Sequence, residues 1–138
     1  MKLTRRDALA LGLGATAASF LPFRAMAAAD EAIAAFTGGA AVGADCITIT
    51  APEIAENGNT VPISVDAPGA VSIAVFAAGN PTPGVATFNF GPLAGSQVAS
   101  TRIRLAGTQD VVAIARMADG SFAKASSTVK VTIGGCGG

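Results

Sequence analysis

Short stretches in which apolar and polar residues alternate recur along this chain, and they constrain its fold more than any other feature. Side chains of a β-strand point to opposite faces in turn, so this alternation indicates strands with one buried face. Val61, Ile63 and Val65 show the pattern most clearly. The predicted strands cover residues 47–49, 61–65, 71–75, 85–90, 99–105, 111–117 and 124–133.

Turn-forming residues separate these stretches, as in 56–59, 80–83 and 118–120. About seven short strands at this spacing are typical of an immunoglobulin-like, antiparallel β-sandwich. Before them, Asp30–Phe36 is predicted to form one short helix, with Asp30 as its N-cap and Gly38-Gly39 at its end. The predicted fold is therefore all-β, with a short N-terminal helix and a flexible C-terminal arm.

The N-terminal segment has the three parts of a signal peptide: charged residues, an apolar run from Ala8 to Phe20, and an Ala-rich exit. Arg5 and Arg6 make it resemble a twin-arginine signal, and an ordinary secretory signal with two arginines is the alternative. Cleavage is expected after Ala27 or Ala29. This predicts a signal peptide (1–27), a sandwich domain (28–133) and an arm (134–138) in a periplasmic protein that is not membrane-bound after cleavage.

Composition excludes several classes of function. The chain of 138 residues contains no histidine, so it lacks Ser-His-Asp and Cys-His catalytic arrangements and imidazole metal ligands. Without residues 1–27, five basic residues face eight acidic ones, a net charge of −3. A mildly acidic protein is a poor ligand for nucleic acid or an anionic membrane. We therefore expect neither a self-sufficient enzyme, nor a metal site, nor a nucleic-acid partner.

The C-terminal segment is the candidate functional site: Gly134, Gly135, Cys136, Gly137 and Gly138. The glycines bury almost no apolar surface, and ordering them costs about 1–2 kcal/mol per residue. The segment is therefore predicted to be a mobile arm that exposes Cys136. No charged residue lies near Cys136 in the sequence to lower the pKa of its thiol. These features indicate a group carrier, whose chemistry is supplied by the proteins that it visits.

Other interpretations of the same residues remain open. Cys136 could instead form a disulfide with Cys46 or with a second copy, since exported proteins favour such bonds. Cys46 itself is interpreted as a small buried apolar residue or a regulatory disulfide partner. Two other functions compete with the carrier. One is a binding module that is joined to its partner by a disulfide of Cys136, and the other is an enzyme with a cysteine nucleophile. Exposed strand faces, with docking as the alternative, are predicted for Arg102, Arg104, Lys124 and Lys130.

Several segments resemble the SoxY family of sulfur-compound carriers in periplasmic thiosulfate oxidation. The resemblance covers essentially the whole chain after the signal, and its most specific part is the glycine-cysteine ending. The similar segments are residues 51–63, 80–83, 86–88, 101–109 and 129–138.

The resemblance implies a covalent carrier that holds sulfur intermediates on Cys136, without a cofactor of its own. It implies a heterodimer with a SoxZ-like subunit, with a higher oligomer as the alternative. It also implies a SoxXA-like haem enzyme that joins thiosulfate oxidatively to the cysteine, and a SoxB-like manganese-dependent hydrolase that releases sulfate. In some organisms a SoxCD-like dehydrogenase oxidises the remaining sulfane sulfur. Cys46 departs from the family pattern, and an internal bridge from it would block Cys136.

Overall fold

The structure is a computed structural model and describes residues 23–44 and 46–132. This part of the chain contains one helix and nine strands. The elements are α1 (Phe23–Thr37), β1 (Val42–Gly43), β2 (Thr48–Thr50), β3 (Ile54–Ala55), β4 (Val61–Asp66), β5 (Ala70–Ala77), β6 (Gly84–Asn89), β7 (Val98–Ile103), β8 (Gln109–Met117) and β9 (Phe122–Val131).

The strands form two sheets. The larger sheet has the order β1-β9-β8-β5-β6, and β3 also pairs with β9. The smaller sheet has the order β2-β4-β7. Neighbouring strands are antiparallel except that β1 and β3 run parallel to β9. The predicted fold class is confirmed: the domain is an immunoglobulin-like β-sandwich preceded by a helix.

The core lies between the two sheets. Val61 and Val65 from β4 face Ile73, Val75 and residues of β8, and all of them are almost completely buried. Burying a Val or Ile side chain contributes about 1.5–3 kcal/mol, so this layer is the main source of stability. The alternation seen in the sequence therefore reflects the inner face of each sheet.

Helix α1 covers part of the outer face of the larger sheet. Ile33 and Phe36 pack on a second cluster that includes Phe76 and Ile114. Strands β5 and β8 are buried on both faces. On β5, Ile73 and Val75 belong to the core between the sheets, whereas Ala74 and Phe76 belong to the cluster under α1. The alternation predicted for 71–75 is wrong at Val71, which is exposed, because the pairing of β5 with β8 shifts register between Ala70 and Ser72.

The helix starts earlier than predicted. It begins at Phe23, so Asp30 lies within it and is not its N-cap. Alanine has the highest helix propensity, and the Ala-rich segment 25–29 continues the helix toward the N-terminus. Its predicted end is confirmed: Gly38 and Gly39 have φ of 66° and 81°, where glycine is favoured.

The seven predicted strands are all present, with shifted ends. The predicted strand 99–105 ends at Ile103, although Leu105 beyond it is fully buried. The two-residue strands β1 and β3 were not predicted.

The sandwich has two distinct ends. We call one the root end: it holds the loops 56–60, 78–83 and 104–108 and the C-terminal end of β9, because Gln109 at the start of β8 pairs with Val129. Leu105 N donates to Gly58 O (2.8 Å) and joins two of these loops. We call the other the far end: it holds the turns 67–69 and 118–121 and the loop 91–97.

Candidate functional site: the root of the C-terminal arm

The site residues predicted from the sequence lie outside the described residues. This applies to Cys136, to the arm glycines Gly134, Gly135, Gly137 and Gly138, and to the export-signal residues Arg5 and Arg6. The structure does show where the arm departs. Thr132 is the last described residue before Cys136, four positions away. We call residues 130–132 the arm root.

On one side, the arm root is held by β3. Lys130 N donates to Glu53 O (2.9 Å), and Thr132 N donates to Ala55 O (3.1 Å). The hydroxyl of Thr132 also lies 3.5 Å from Ala55 O. This short parallel pairing keeps β9 in the sheet to its last described residues.

On the other side of β9, beyond its last pair with β8, the side chain of Thr108 binds the backbone where no strand is paired. The Thr108 hydroxyl accepts a hydrogen bond from Val131 N (2.9 Å) and lies 3.4 Å from Val131 O, to which it donates. Both backbone groups of Val131 are thereby bound just beyond the last Gln109–Val129 pair of the β8–β9 ladder. The arm root is thus fixed from two directions.

An amide network around the buried Gln109 holds the loop that carries Thr108. Gln109 Oε1 accepts from Gly79 N (2.8 Å), and Gln109 Nε2 donates to Asn80 Oδ1 (2.8 Å). Asn80 in turn donates to Arg104 O (2.8 Å) and accepts from Ala106 N (2.9 Å). A Cβ on Gly79 would lie 3.0 Å from Gln109 Cβ, so a larger residue there would have to displace the Gln109 side chain.

Sequence reasoning missed these supporting residues. Thr108, Asn80 and Gln109 belong to the segments that resemble the SoxY family, but no local pattern assigns them a role. The structure brings parts of the segments 51–63, 80–83 and 101–109 together at the root end. Their common feature is that they support the strand that leads to Cys136.

Cys46 differs from its interpretation as a buried residue. It is exposed and has no disulfide partner among the described residues, and its φ of 70° is unusual for a non-glycine residue. It shares a surface pocket with Asp119, Ser121 and Ala123, which places it at the far end.

The position of Cys46 also bears on an internal bridge. Ala123 and Val131 are eight residues apart on β9, about 26 Å at 3.3 Å per residue. Thr132 and Cys136 are four residues apart, and this segment spans at most about 14 Å. Cα atoms joined by a disulfide lie within about 7 Å of each other. A Cys46–Cys136 bridge within one chain would therefore have to span much of the length of β9.

The remaining candidate groups are consistent with a surface role. Arg102, Lys124 and Lys130 are exposed on strands, which confirms their predicted placement on solvated strand faces, whereas Arg104 is exposed just beyond the end of β7. Among residues 23–44 and 46–132, no group of three or more His, Cys, Asp or Glu residues could hold a metal ion. The described helix is not long and apolar enough to span a membrane.

The fold defines the chain as an immunoglobulin-like sandwich whose last described strand, β9, is held on both sides at its C-terminal end. The family model of the sulfur oxidation protein SoxY matches residues 33–136. The solved structure of the sulfur carrier protein SoxY from Chlorobium limicola f thiosulfatophilum is 37% identical, with a TM-score of 0.68 over 78% of this chain and 94% of that chain. The chain belongs to the SoxY family.

More distant structures share only the fold. A superoxide reductase (neelaredoxin) variant from Ignicoccus hospitalis is 17% identical, with a TM-score of 0.56 over 68% of this chain and 84% of that chain. A putative superoxide reductase from Thermotoga maritima is 18% identical, with a TM-score of 0.54 over 63% of this chain and 86% of that chain. A search of curated proteins gave no match.

Proposed function

We propose that this chain is a covalent carrier in thiosulfate oxidation, which holds sulfur intermediates on Cys136 and presents them to partner enzymes. The observation that carries the proposal is the family match, which extends to Cys136 itself. The support of the arm root on both sides agrees with it, because a carrier must present its cargo from a defined point. Gly134, Gly135, Gly137 and Gly138 then give the cysteine backbone freedom.

The chemistry on Cys136 proceeds in two steps. The Cys136 sulfur forms a bond to the sulfane sulfur of thiosulfate, and the thiol loses its proton. Two electrons pass to a SoxXA-like haem enzyme. A SoxB-like hydrolase then adds water across the bond between the sulfane sulfur and the sulfonate group. Sulfate and a proton leave, and a persulfide remains on Cys136, which a SoxCD-like dehydrogenase can oxidise further.

The chain itself contributes position and not catalysis in this scheme. It contains no histidine that could act as a general base beside Cys136. The thiol must therefore be activated, and its cargo attacked, by groups of the visiting enzyme. This is the division of labour expected of a carrier.

Export with a partner completes the proposal. The twin-arginine-type signal with Arg5 and Arg6 directs the folded chain to the periplasm, together with a SoxZ-like subunit. Cleavage after Ala27 removes the first five residues of α1 and leaves ten, from Ala28 to Thr37. Asp30 then lies in the first turn of the shortened helix, where a carboxylate interacts favourably with the helix dipole.

The proposal is tested by reconstitution of the complex with its SoxZ-like subunit, the haem enzyme and thiosulfate. Cys136→Ser should abolish formation of the sulfur adduct, because the attachment atom is gone. Cys46→Ser is the matched control and should form the adduct normally. Adduct formation by the Cys136→Ser protein would refute the proposal.

A further inference from the structure

We propose that Asn57 is a site of spontaneous deamidation, at which the chain modifies itself without an enzyme. Asn57 is exposed and is followed by Gly58 in the loop that precedes β4. The reacting group is the side-chain amide of Asn57, and the product is a carboxylate in the same loop. The inference does not depend on the proposed function, because it concerns loop 56–60 and not Cys136.

The reaction needs only water as a second reactant. The backbone nitrogen of Gly58 attacks Cγ of Asn57 and gives up its proton, while the bond from Cγ to the side-chain nitrogen breaks and ammonia leaves. A succinimide ring remains. Water then opens the ring at either of its carbonyl carbons and gives aspartate or isoaspartate, in which the main chain runs through the side-chain carbon. The attack is favoured because both groups are held in one molecule.

The nitrogen that has to attack is available in the folded chain. Glycine has no Cβ, so no side chain of residue 58 shields its nitrogen from Cγ of Asn57. Among residues 23–44 and 46–132, no acceptor binds the Gly58 N–H, whereas Gly58 O accepts a hydrogen bond from Leu105 N (2.8 Å). Gly58 is buried but Asn57 is exposed, so water can reach the ring from the Asn57 side.

The turn also stabilises the charge that develops during the attack. Asn59 N donates a hydrogen bond to Oδ1 of Asn57 (3.0 Å). This oxygen becomes negative when the Gly58 nitrogen adds to Cγ, so a donor that already binds it favours the addition step. The backbone of loop 56–60 therefore supplies both the attacking nitrogen and a donor for the developing negative charge.

Two asparagines outside this loop lack an available nitrogen on the next residue. The chain contains four asparagines in total. Asn80 precedes Pro81, which has no backbone N–H to lose. Asn89 precedes Phe90, whose N–H is bound to Val71 O (2.9 Å). The fold therefore protects both of these residues from the same reaction.

The closest comparison within the chain is Asn59, which lies in the same loop and is also exposed. The residue that follows it is Thr60, whose β-branched side chain crowds the attacking nitrogen. The Thr60 N–H is also bound to Asn57 O (3.4 Å), which closes the turn. We therefore expect Asn57 to react and Asn59 to be spared, although both lie in one loop.

Deamidation at Asn57 changes the root end of the sandwich. Either product adds a negative charge beside Glu56, and isoaspartate lengthens the main chain by one carbon atom. The hydrogen bond from Leu105 N to Gly58 O joins this loop to loop 104–108, and a longer backbone next to it should weaken that bond. The modified protein should separate on anion exchange, and its Leu105 amide should exchange faster with solvent than in the unmodified protein.

Incubation of the complex with the SoxZ-like subunit, at neutral and at mildly alkaline pH, tests the proposal. Peptide mapping separates asparagine, aspartate and isoaspartate at each position. We expect Asn57 to be modified at least about tenfold faster than Asn59, Asn80 or Asn89. The rate should rise with pH, because the Gly58 nitrogen has to lose a proton.

Two matched variants locate the reaction. Asn57→Gln should remove the modification, because glutamine would have to form a larger and less favourable ring. Asn59→Ala keeps the backbone N–H that binds Oδ1 of Asn57 and should leave the rate at Asn57 unchanged. Cys136→Ser should also be modified as fast as the wild-type protein, which separates this proposal from the carrier function.

Three results would overturn the proposal. The first is an Asn57 that stays unmodified in the folded complex and reacts only in urea. The second is modification of Asn59 or Asn89 at the same rate as Asn57. The third is a Leu105 amide that exchanges equally fast in the modified and unmodified proteins, which would show that the reaction leaves the root end unchanged.

Discussion

At the scale of single residues, the hydroxyl of Thr108 binds the backbone of β9 at the point where its pairing with β8 has ended. Thr108 binds both the N–H and the C=O of Val131, and its loop is held through Gln109 and Asn80. Side chains that bind backbone groups in this way keep a strand end paired where the ladder would otherwise stop. The position of the arm root therefore depends on a residue 23 positions away in the sequence.

Removal of this hydroxyl should loosen the arm root. Thr108→Val keeps the shape of the side chain but loses both hydrogen bonds, which should cost about 1–2 kcal/mol in unfolding free energy. The amide of Val131 should exchange faster with solvent, and hydrogen exchange measures this directly. Thr108→Ser retains the hydroxyl and should restore protection. Equal protection of Val131 in the Val and Ser variants would show that Thr108 does not hold the arm root.

A second prediction concerns the turn between β8 and β9. The hydroxyl of Ser121 and the Ser121 N–H both donate to Asp119 Oδ1, at 2.6 and 2.9 Å. These bonds favour the charged carboxylate and lower the pKa of Asp119 below its usual value. The associated stability is therefore present above the usual pKa and is lost as the pH falls through the lowered one.

NMR titration of the Asp119 carboxyl checks this prediction. Its pKa should lie below 3.8 in the wild-type protein. Ser121→Ala removes the side-chain donor and should raise that pKa toward the usual value. An unchanged pKa in the Ser121→Ala variant would refute the assigned cause.

The sequence singles out Cys136, the attachment residue that we propose, but not the residues that support the strand before it. Cys136 stands out because four glycines surround it, a pattern visible in five consecutive residues. Thr108 looks like an ordinary surface threonine, since its partner is distant in the sequence and the contact involves only backbone atoms of Val131. The exposure of Cys46 was missed for a similar reason, because a neighbouring Ile47 suggests burial when viewed locally.

At the scale of elements, α1 is attached to the larger sheet by one aromatic cluster. The Phe36 ring lies 6.3 Å from the ring of Phe76 and 6.0 Å from that of Phe122, both edge-on. The guanidinium of Arg116 lies 5.6 Å from the centres of the Phe36 and Phe122 rings. Edge-on aromatic pairs and cation–π contacts each contribute about 0.5–1.5 kcal/mol beyond burial.

The attachment of the helix should therefore be sensitive to Phe36. Phe36→Ala is expected to lower the unfolding free energy by about 3 kcal/mol, within the usual range for loss of a packed aromatic residue. Arg116→Gln should cost about 0.5–1 kcal/mol. Arg102→Gln is the control, since Arg102 is exposed, and should change little. Urea denaturation measures all three, and a Phe36→Ala effect no larger than that of Arg102→Gln would contradict this account.

Strand alternation predicted seven strands because each has one face in the inter-sheet core. It could not predict β1 and β3, which are two residues long and pair with β9 through contacts distant in the sequence. It also could not show that α1 buries the second face of β5 and β8, because coverage by a helix leaves no alternating pattern. The early start of α1 was missed because its Ala-rich first turns belong to the predicted signal segment.

At the scale of the whole molecule, the two ends of the sandwich differ in content. The root end contains the loops that hold the C-terminal end of β9, the strand that precedes Cys136 in the sequence. Cys46 lies at the far end. The sandwich fold also occurs in superoxide reductases that share only 17–18% of their residues with this chain. Fold alone therefore does not define the function, which we assign to the segment beyond β9.

The central claim is that Cys136 carries the sulfur cargo, and intact-mass analysis of the protein from cells tests it most directly. The protein would be isolated from cells grown with and without thiosulfate, as wild type, Cys136→Ser and Cys46→Ser, and the modified residue located by peptide mapping. We predict a thiosulfate-dependent adduct on Cys136 in the wild-type and Cys46→Ser proteins and none in Cys136→Ser. An unmodified Cys136 during active thiosulfate oxidation, or an adduct located on Cys46, would contradict the account.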